Sequence, residues 1–432
     1  MIKIISASEL KTVLKNKPDP AVKRKVQEII SRVIAKGDEA VKEYTRQLDG
    51  VELQNFSLRK NDLERAKFKF GSKLKEAIRP AAENLYRFSE KQLEVLKKLD
   101  NLQVEIRPGV LAIEKIVAIK RIGIYIPGGR YPLISSLLMA AVPPRTAGIR
   151  EIAVCTPPGK GGRLHPALLY AASLVEIDEI YTIGGAQAIA ALAVGTETIN
   201  PVDKIVGPGN VYVSEAKKEV YGLAGIDFIA GPTELLIIAD RTAKPELVAA
   251  DLIAQAEHDP LARAWLITDD PELARSVREK IVKQLEKIKT SSTARRSLVE
   301  QGLIILVDDL NEAVDLANKI APEHLELQVK ELELFINQLI NYGSLFIGHW
   351  SAEALGDYSS GLNHILPTDR AARYTGGLSV KDFLKFHTVL KVSKKGLQAI
   401  GQAAVSLARA EGLSGHEASV SMRLKLIQKN NH

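Results

Sequence analysis

The chain is short of cysteine, aromatic residues, long apolar runs and charge of one sign. Its single cysteine, Cys155, cannot form an internal disulfide, which fits a reducing compartment. Aromatic residues make up only 5% of the 432 positions, so any core must be built mainly from Ala, Val, Leu and Ile. No apolar run approaches the ~18 residues of a membrane span. The opening stretch MIKIISASELKTVLKNK lacks both an apolar signal region and a small-residue cleavage site, so the expectation is a cytoplasmic protein without membrane association. The 59 Lys and Arg residues nearly match 52 Asp and Glu, and the surplus of +7 is spread through mixed-sign segments. With no zinc finger, RNA-binding aromatic signature or basic arm, nucleic acid is not an expected partner. A mild positive field does suit an anionic dinucleotide. The GxGxxG fingerprint of a standard Rossmann fold is missing too.

Hydrophobic residues nevertheless reach 46%, enough for a packed core, and at ~100–200 residues per domain the length predicts two or three domains. Residues 1 to about 105 read as helical, with Val22, Val26, Ile29, Ile30, Val33 and Ile34 at helical spacing and a longer helix over about 72–99. From Val110 onward the pattern changes. Candidate strands at 122–126, 151–155, 179–183 and 226–230 alternate with helical stretches at 135–147 and 166–173. A second series follows, with strands at 235–239, 264–268, 302–307 and 344–348 and helices at 245–258, 271–288 and 310–320. Such alternation predicts parallel sheets. The tail beyond Leu378 reads as a strand or two, a helix over 395–411 and a polar end.

Three strand ends in this series run into glycine. The segment 122–126 leads to Pro127-Gly128-Gly129, 179–183 to Gly184-Gly185, and Lys204-Ile205-Val206 to Gly207-Pro208-Gly209-Asn210. Glycine lets backbone N–H groups approach an anion, and a helix starting there adds its positive end. Turn chemistry alone accounts for any one junction; three within about 90 residues make a phosphate-bearing ligand an even alternative.

A second group of residues offers metal and proton chemistry. Gln255 and His258 stand i,i+3 at the end of a predicted helix closed by Pro260, as ligands or as capping groups. Glu323-His324 follows Ala321-Pro322; the pair is either a base with its orienting partner or a solvated surface pair. The segment GHWSAEALGDYSSGLNHILPT, with Asp357 and His364, reads as a binding loop or an ordinary surface loop. EGLSGHEASVSMR places Glu411 and His416 in the tail, as ligands that reach another region or subunit or as a frayed polar end. Gln, His, Asp and His would be an all N/O set suited to Zn²⁺, Mn²⁺ or Co²⁺. His165, His349, His387 and His432 make no case by spacing, and Cys155 is either a small buried hydrophobe or a thiol nucleophile.

The blocks GIYIPGG, IGGAQAIAALAVGT, KIVGPGNVYV, IAGPTELLIIAD, DLIAQAEHDP, APEHLEL, LGDYSSGLNHILPT, GGLSVKDFLK and EGLSGHEASV, in this order over about 15–425, resemble histidinol dehydrogenase. The resemblance implies two incomplete Rossmann-like α/β domains with parallel sheets, of aldehyde-dehydrogenase type, a helical N-terminal region and a small tail domain. The domains would comprise 1–108 with 236–378 (metal and acid/base groups), 109–235 (dinucleotide) and a dimer-exchanging tail, 379–432. It implies oxidation of L-histidinol to L-histidine with NAD, one zinc per subunit and a homodimer. By the same resemblance Gln255, His258, Asp357 and His416, the last from the partner subunit, would bind zinc, and Glu323 and His324 would be the acid/base residues. Substrate contacts would be Thr233, Gln255, His258, His324, Asp357, His364, Glu411 and His416; dinucleotide contacts Tyr125, Gln187 and Asn210. The chain departs from the family pattern at Thr233 (usually serine), at Leu362 (usually proline) and at the bulky Arg130-Tyr131 after Gly129. Two other readings stay open at this stage, a zinc-dependent hydrolase and a dehydrogenase of a related amino alcohol.

Overall fold

The computed structural model describes residues 2–12, 20–59, 71–128, 132–177 and 179–429; the Gly129-Arg130-Tyr131 departure lies outside them. The chain forms two compact units, Met1–Ser89 with Lys120–Asp382, and Glu90–Ile119 with Phe383–His432. Among the described residues no helix is long and apolar enough to cross a membrane.

The larger unit contains two six-stranded sheets, and the parallel α/β expectation holds in both. One runs in the order Ser57–Arg59, Glu179–Tyr181, Glu151–Cys155, Arg121–Tyr125, Lys204–Val206, Gly225–Ile226. All of its pairings are parallel except that of the edge strand Ser57–Arg59. The other runs Lys3–Ser6, Leu303–Leu306, Arg263–Thr268, Glu234–Ala239, His324–Gln328, Ser344–Ile347, and is wholly parallel. Leaving aside each N-terminal edge strand, both sheets have the order third, second, first, fourth, fifth. The order reverses beside the first strand, and that reversal is where open α/β sheets form a crevice.

Composition explains these strands. Arg121–Tyr125 and Glu234–Ala239 are buried along their whole length, as parallel strands covered on both faces must be. His324–Gln328 is also fully buried but reads His-Leu-Glu-Leu-Gln. With a side-chain period of two, His324, Glu326 and Gln328 share one face and Leu325 and Leu327 the other. That polar face prepares the site described below. The helix Gly185–Val194 carries one glycine and five alanines, so it lies close to the first sheet; a Cβ at Gly123 would come within 2.9 Å of Leu192.

The smaller unit is an antiparallel sheet, Leu384–Val392, Val110–Ala118, Gln103–Arg107, with the helices Lys394–Ala410 and Ser414–Lys429. The two helices approach where Gly401 faces Leu424, 3.0 Å from a Cβ placed on the glycine.

Several expectations need correction. The N-terminal region is not helical throughout: Lys3–Ser6 and Ser57–Arg59 are strands that pair with Leu303–Leu306 and Glu179–Tyr181, and Gln103–Arg107 begins a hairpin. Short strands held by distant partners carry no local periodicity. The expected 226–230 strand shrinks to Gly225–Ile226, and the polar end is a 16-residue helix.

The helix–sheet seam gives a direct test. Leu192 is fully buried. Leu192→Ala should lower unfolding stability by about 2–5 kcal/mol in urea titrations; an unchanged midpoint would contradict the packing at Gly123.

Candidate active site

The site forms at the amino ends of two neighbouring parallel strands. Leu235 of Glu234–Ala239 lies in register with His324 of His324–Gln328. The residues just before each strand, Thr233 and Glu323, are thereby brought together. Thr233 Oγ1 donates to Glu323 Oε2 at 2.6 Å, and the Glu234 backbone N–H donates to the same oxygen at 2.9 Å. Gln255 Nε2 then donates to Thr233 Oγ1 at 2.7 Å. This chain spends the amide nitrogen of Gln255 and leaves Oε1 buried without a partner.

The tautomer of His324 follows from its neighbour. Its Nδ1 lies 3.0 Å from the carbonyl oxygen of Glu234, which can only accept, so Nδ1 carries the hydrogen in the neutral ring. The unprotonated Nε2 has no hydrogen-bond partner and faces Glu353 Oε1 at 3.7 Å and Asp357 Oδ1 at 3.9 Å. Burial pushes the imidazole down to about 4, against the pull of Asp357, so at neutral pH the ring is an empty proton acceptor.

The short helix Glu353–Tyr358 supplies two carboxyls one turn apart. Glu353 Oε1 is unpartnered; burial and the charge of Asp357 push its carboxyl up to about 10, so it keeps its proton. Asp357 is also buried, but the surrounding His364, His324 and His258 outweigh burial and hold it down to about 2. Its Oδ1 lies 3.4 Å from His364 Nδ1 and its Oδ2 3.7 Å from His258 Nε2. His364 is oriented from behind by Ser136 Oγ, 3.0 Å from its Nε2.

His258 lies beyond the last residue of the helix Pro245–Ala256, not within it, and its side chain is 44% exposed whereas Gln255 is buried. Thus Thr233, Gln255, His258, Glu323, His324, Asp357 and His364 form one contiguous chain of contacts. Glu411 and His416 belong to the other compact unit, where both are exposed around the break between its two helices. Glu353 escaped the sequence reading because its segment looked like a loop; its i,i+4 spacing to Asp357 was the available signal.

An unpartnered buried amide oxygen, an ionised carboxylate and a half-exposed imidazole make a donor set that suits a cation such as zinc. Among the described residues, His324, Glu353 and Asp357 also bring ligand atoms within 4.8 Å of one another.

The dinucleotide candidates differ among themselves. Gln187 is fully buried with both amide atoms unpartnered. Tyr125 is buried and its hydroxyl accepts from the Gly185 N–H at 3.1 Å. Asn210 is exposed and caps the helix Val211–Val220 by accepting from Tyr212 and Val213. The glycines have packing reasons of their own: a Cβ at Gly128 or Gly184 would meet Pro157 at 3.0 or 2.5 Å. Cys155 is wholly buried and its thiol is pushed far up by burial, which suits a core residue and not a nucleophile.

A profile of the family described as histidinol dehydrogenase matches residues 14–424. The chain is 46% identical over 400 residues to a histidinol dehydrogenase of Methanocaldococcus jannaschii, spanning 93% of this chain and 92% of that protein. It is 44% identical over 400 residues to one of Methanothermobacter thermautotrophicus, spanning 93% of each. The crystal structure of a histidinol dehydrogenase from Elizabethkingia anophelis superposes with a TM-score of 0.92 at 36% identity, over 99% of both chains.

Glu323 gives the site a measurable pH signature. Burial holds its carboxyl well above the ordinary 4.5, against the hydrogen bonds from Thr233 and Glu234. Its contribution to stability is therefore complete below the unfolded value and is lost as pH rises toward the folded one. In metal-stripped protein, Glu323→Gln should gain stability relative to the parent as pH rises above the ordinary carboxyl value, read by thermal unfolding. A difference independent of pH would contradict this.

Proposed function

The chain belongs to the histidinol dehydrogenase family, whose function is the oxidation of histidinol in histidine biosynthesis, and on that premise we propose its mechanism. The reaction is a four-electron oxidation of L-histidinol to L-histidine through L-histidinaldehyde, with NAD. The observation that carries the reading is the unprotonated, unpartnered Nε2 of His324 facing the Glu353 and Asp357 carboxyls.

Gln255, His258 and Asp357, with His416 of the partner subunit, would hold one zinc per subunit. Bound there, zinc supplies a positive template for the imidazole and amino nitrogens of the substrate, and NAD supplies the hydride acceptor. Orientation of this kind lowers barriers by ~7–11 kcal/mol in well-placed systems. Thr233, His364 and Glu411 complete the substrate contacts, and Tyr125, Gln187 and Asn210 take the dinucleotide.

His324 accepts the hydroxyl proton at Nε2 as the substrate is oxidised, while the Glu234 carbonyl keeps Nδ1 protonated and the ring fixed. An imidazole depressed to about 4 does not retain that proton, so it is free again for the second oxidation. Glu323 draws a proton from water that adds to the aldehyde; its upward-shifted carboxyl is the stronger base of the two once ionised. His324 then deprotonates the hydrate. Thr233 keeps the hydroxyl of the usual serine and uses it on Glu323.

In this scheme the sheet built around Arg121–Tyr125 binds the dinucleotide, the sheet built around Glu234–Ala239 carries the metal and acid/base groups, and the tail 379–432 exchanges within a homodimer. The enzyme would work in the cytoplasm. Family membership argues against the hydrolase alternative.

His324→Asn should slow both half-reactions by roughly 10²–10⁴-fold, whereas Glu323→Gln should slow mainly aldehyde oxidation. Assays started separately from histidinol and histidinaldehyde decide this, and equal losses from both variants would contradict the division of labour. Chelation should abolish turnover and zinc should restore it, with two NADH formed per histidine. Undiminished turnover after complete metal removal would overturn the zinc assignment.

A further inference from the structure

The mechanism makes no use of Lys217, although its side chain is among the largest that are fully buried. It lies in the last turn of the helix Val211–Val220 and points back toward the loop that starts that helix. Its ammonium donates to the carbonyl oxygen of Gly207 at 3.0 Å and pairs with the Asp227 carboxylate. Asp227, whose side chain is 1% exposed, accepts from the Gly207 N–H at 2.8 Å through Oδ2 and from the Phe228 N–H at 2.7 Å through Oδ1. Both backbone polar groups of one glycine therefore end on a single buried ion pair.

Gly207 is the residue where this grip matters. Its φ is +116°, and a Cβ there would sit 2.1 Å from the carbonyl oxygen of Tyr125. The turn is thus pressed against the end of the strand Arg121–Tyr125 just as the chain leaves the strand Lys204–Val206. These two strands are neighbours, and the sheet order reverses between them. Ligands of open α/β sheets bind at the carboxyl ends of the strands at that reversal. Burying two charges is unfavourable unless each is hydrogen-bonded, and an apolar pair would fill the same space more simply. Here the charges are spent on fixing one turn.

We propose that Lys217 and Asp227 form a buried clamp that sets the 207–210 turn for the dinucleotide, as positioning residues that do not touch it. The inference rests on the assignment of Asn210 to the cofactor. The clamp acts through the turn: with Gly207 held at both ends, Pro208, Gly209 and Asn210 leave the sheet in one direction, and Asn210 both caps the helix and faces solvent.

The test is steady-state kinetics and unfolding of three variants of the holoenzyme. Lys217→Met with Asp227→Asn removes both charges together and leaves neither one buried alone. It should raise KM for NAD at least about tenfold, with KM for histidinol unchanged. Lys217→Met alone leaves Asp227 held by the Gly207 and Phe228 N–H groups; it should move KM for NAD in the same direction by less, and it decides the matter if the double variant does not fold. Folded variants with unchanged KM for NAD, or with both KM values raised alike, would overturn the clamp. Asn210→Ala separates the premise. If it raises KM for NAD while the clamp variants do not, the clamp alone fails. If none of the three changes it, the cofactor's placement on this turn fails as well.

Discussion

The candidate site depends on the parallel pairing of Glu234–Ala239 with His324–Gln328. That register brings Thr233 and Glu323 side by side and puts the Glu234 carbonyl under the ring of His324. No flexible loop is needed to aim either group. Glu323 and His324 are adjacent in sequence, yet they are directed differently. Glu323 turns toward Thr233 and Gln255, whereas the open nitrogen of His324 turns toward Glu353 and Asp357. One side of the pair meets hydroxyl and amide groups, the other a carboxyl cluster.

The same strand carries the support behind the site. Glu326 Oε1 accepts the backbone N–H of Glu353 at 2.9 Å, and Gln328 Nε2 donates to Glu326 Oε2 at 2.8 Å. Burial and the neighbouring Asp251 charge push Glu326 up to about 8, and burial pushes Asp251 up to about 6. The helix bearing Asp357 is therefore anchored at its first residue by a side chain two positions along from His324. A polar residue at every second place in a buried strand is costly in isolation. Here each such residue has a partner on the next element.

Much of this was legible in the amino-acid order. Strands such as Glu151–Cys155 and the helix Leu310–Ile320 appear at the bounds their apolar runs indicate, because their signals are local. The pairing of Leu384–Val392 with Val110–Ala118 was not legible, since nothing within nine residues announces a partner so far away in sequence. Glu353 was hidden for a related reason: Gly356 and the serines around it suggested a loop, and only burial against Phe346 and Glu326 makes the short helix. The glycine junctions show the reverse case. They were visible at once, but their contacts with Pro157 and Tyr125 show packing as one reason for glycine there.

The two sheets repeat one strand order, and the candidate site lies at the amino edge of the second. At the carboxyl edge of the second sheet, Asp240 accepts the backbone N–H groups of Thr242 and Lys330 and so ties together the ends of two neighbouring strands. Glu323 and His324 lie instead at the amino edge, where the helix Pro245–Ala256 finishes with Gln255 in its final turn. Helices that return beside parallel strands bring their negative ends to this edge and their positive ends to the other. A single architecture, used twice, thus furnishes one pole that welcomes cations and ammonium groups and one that welcomes phosphates, with no change of fold between them.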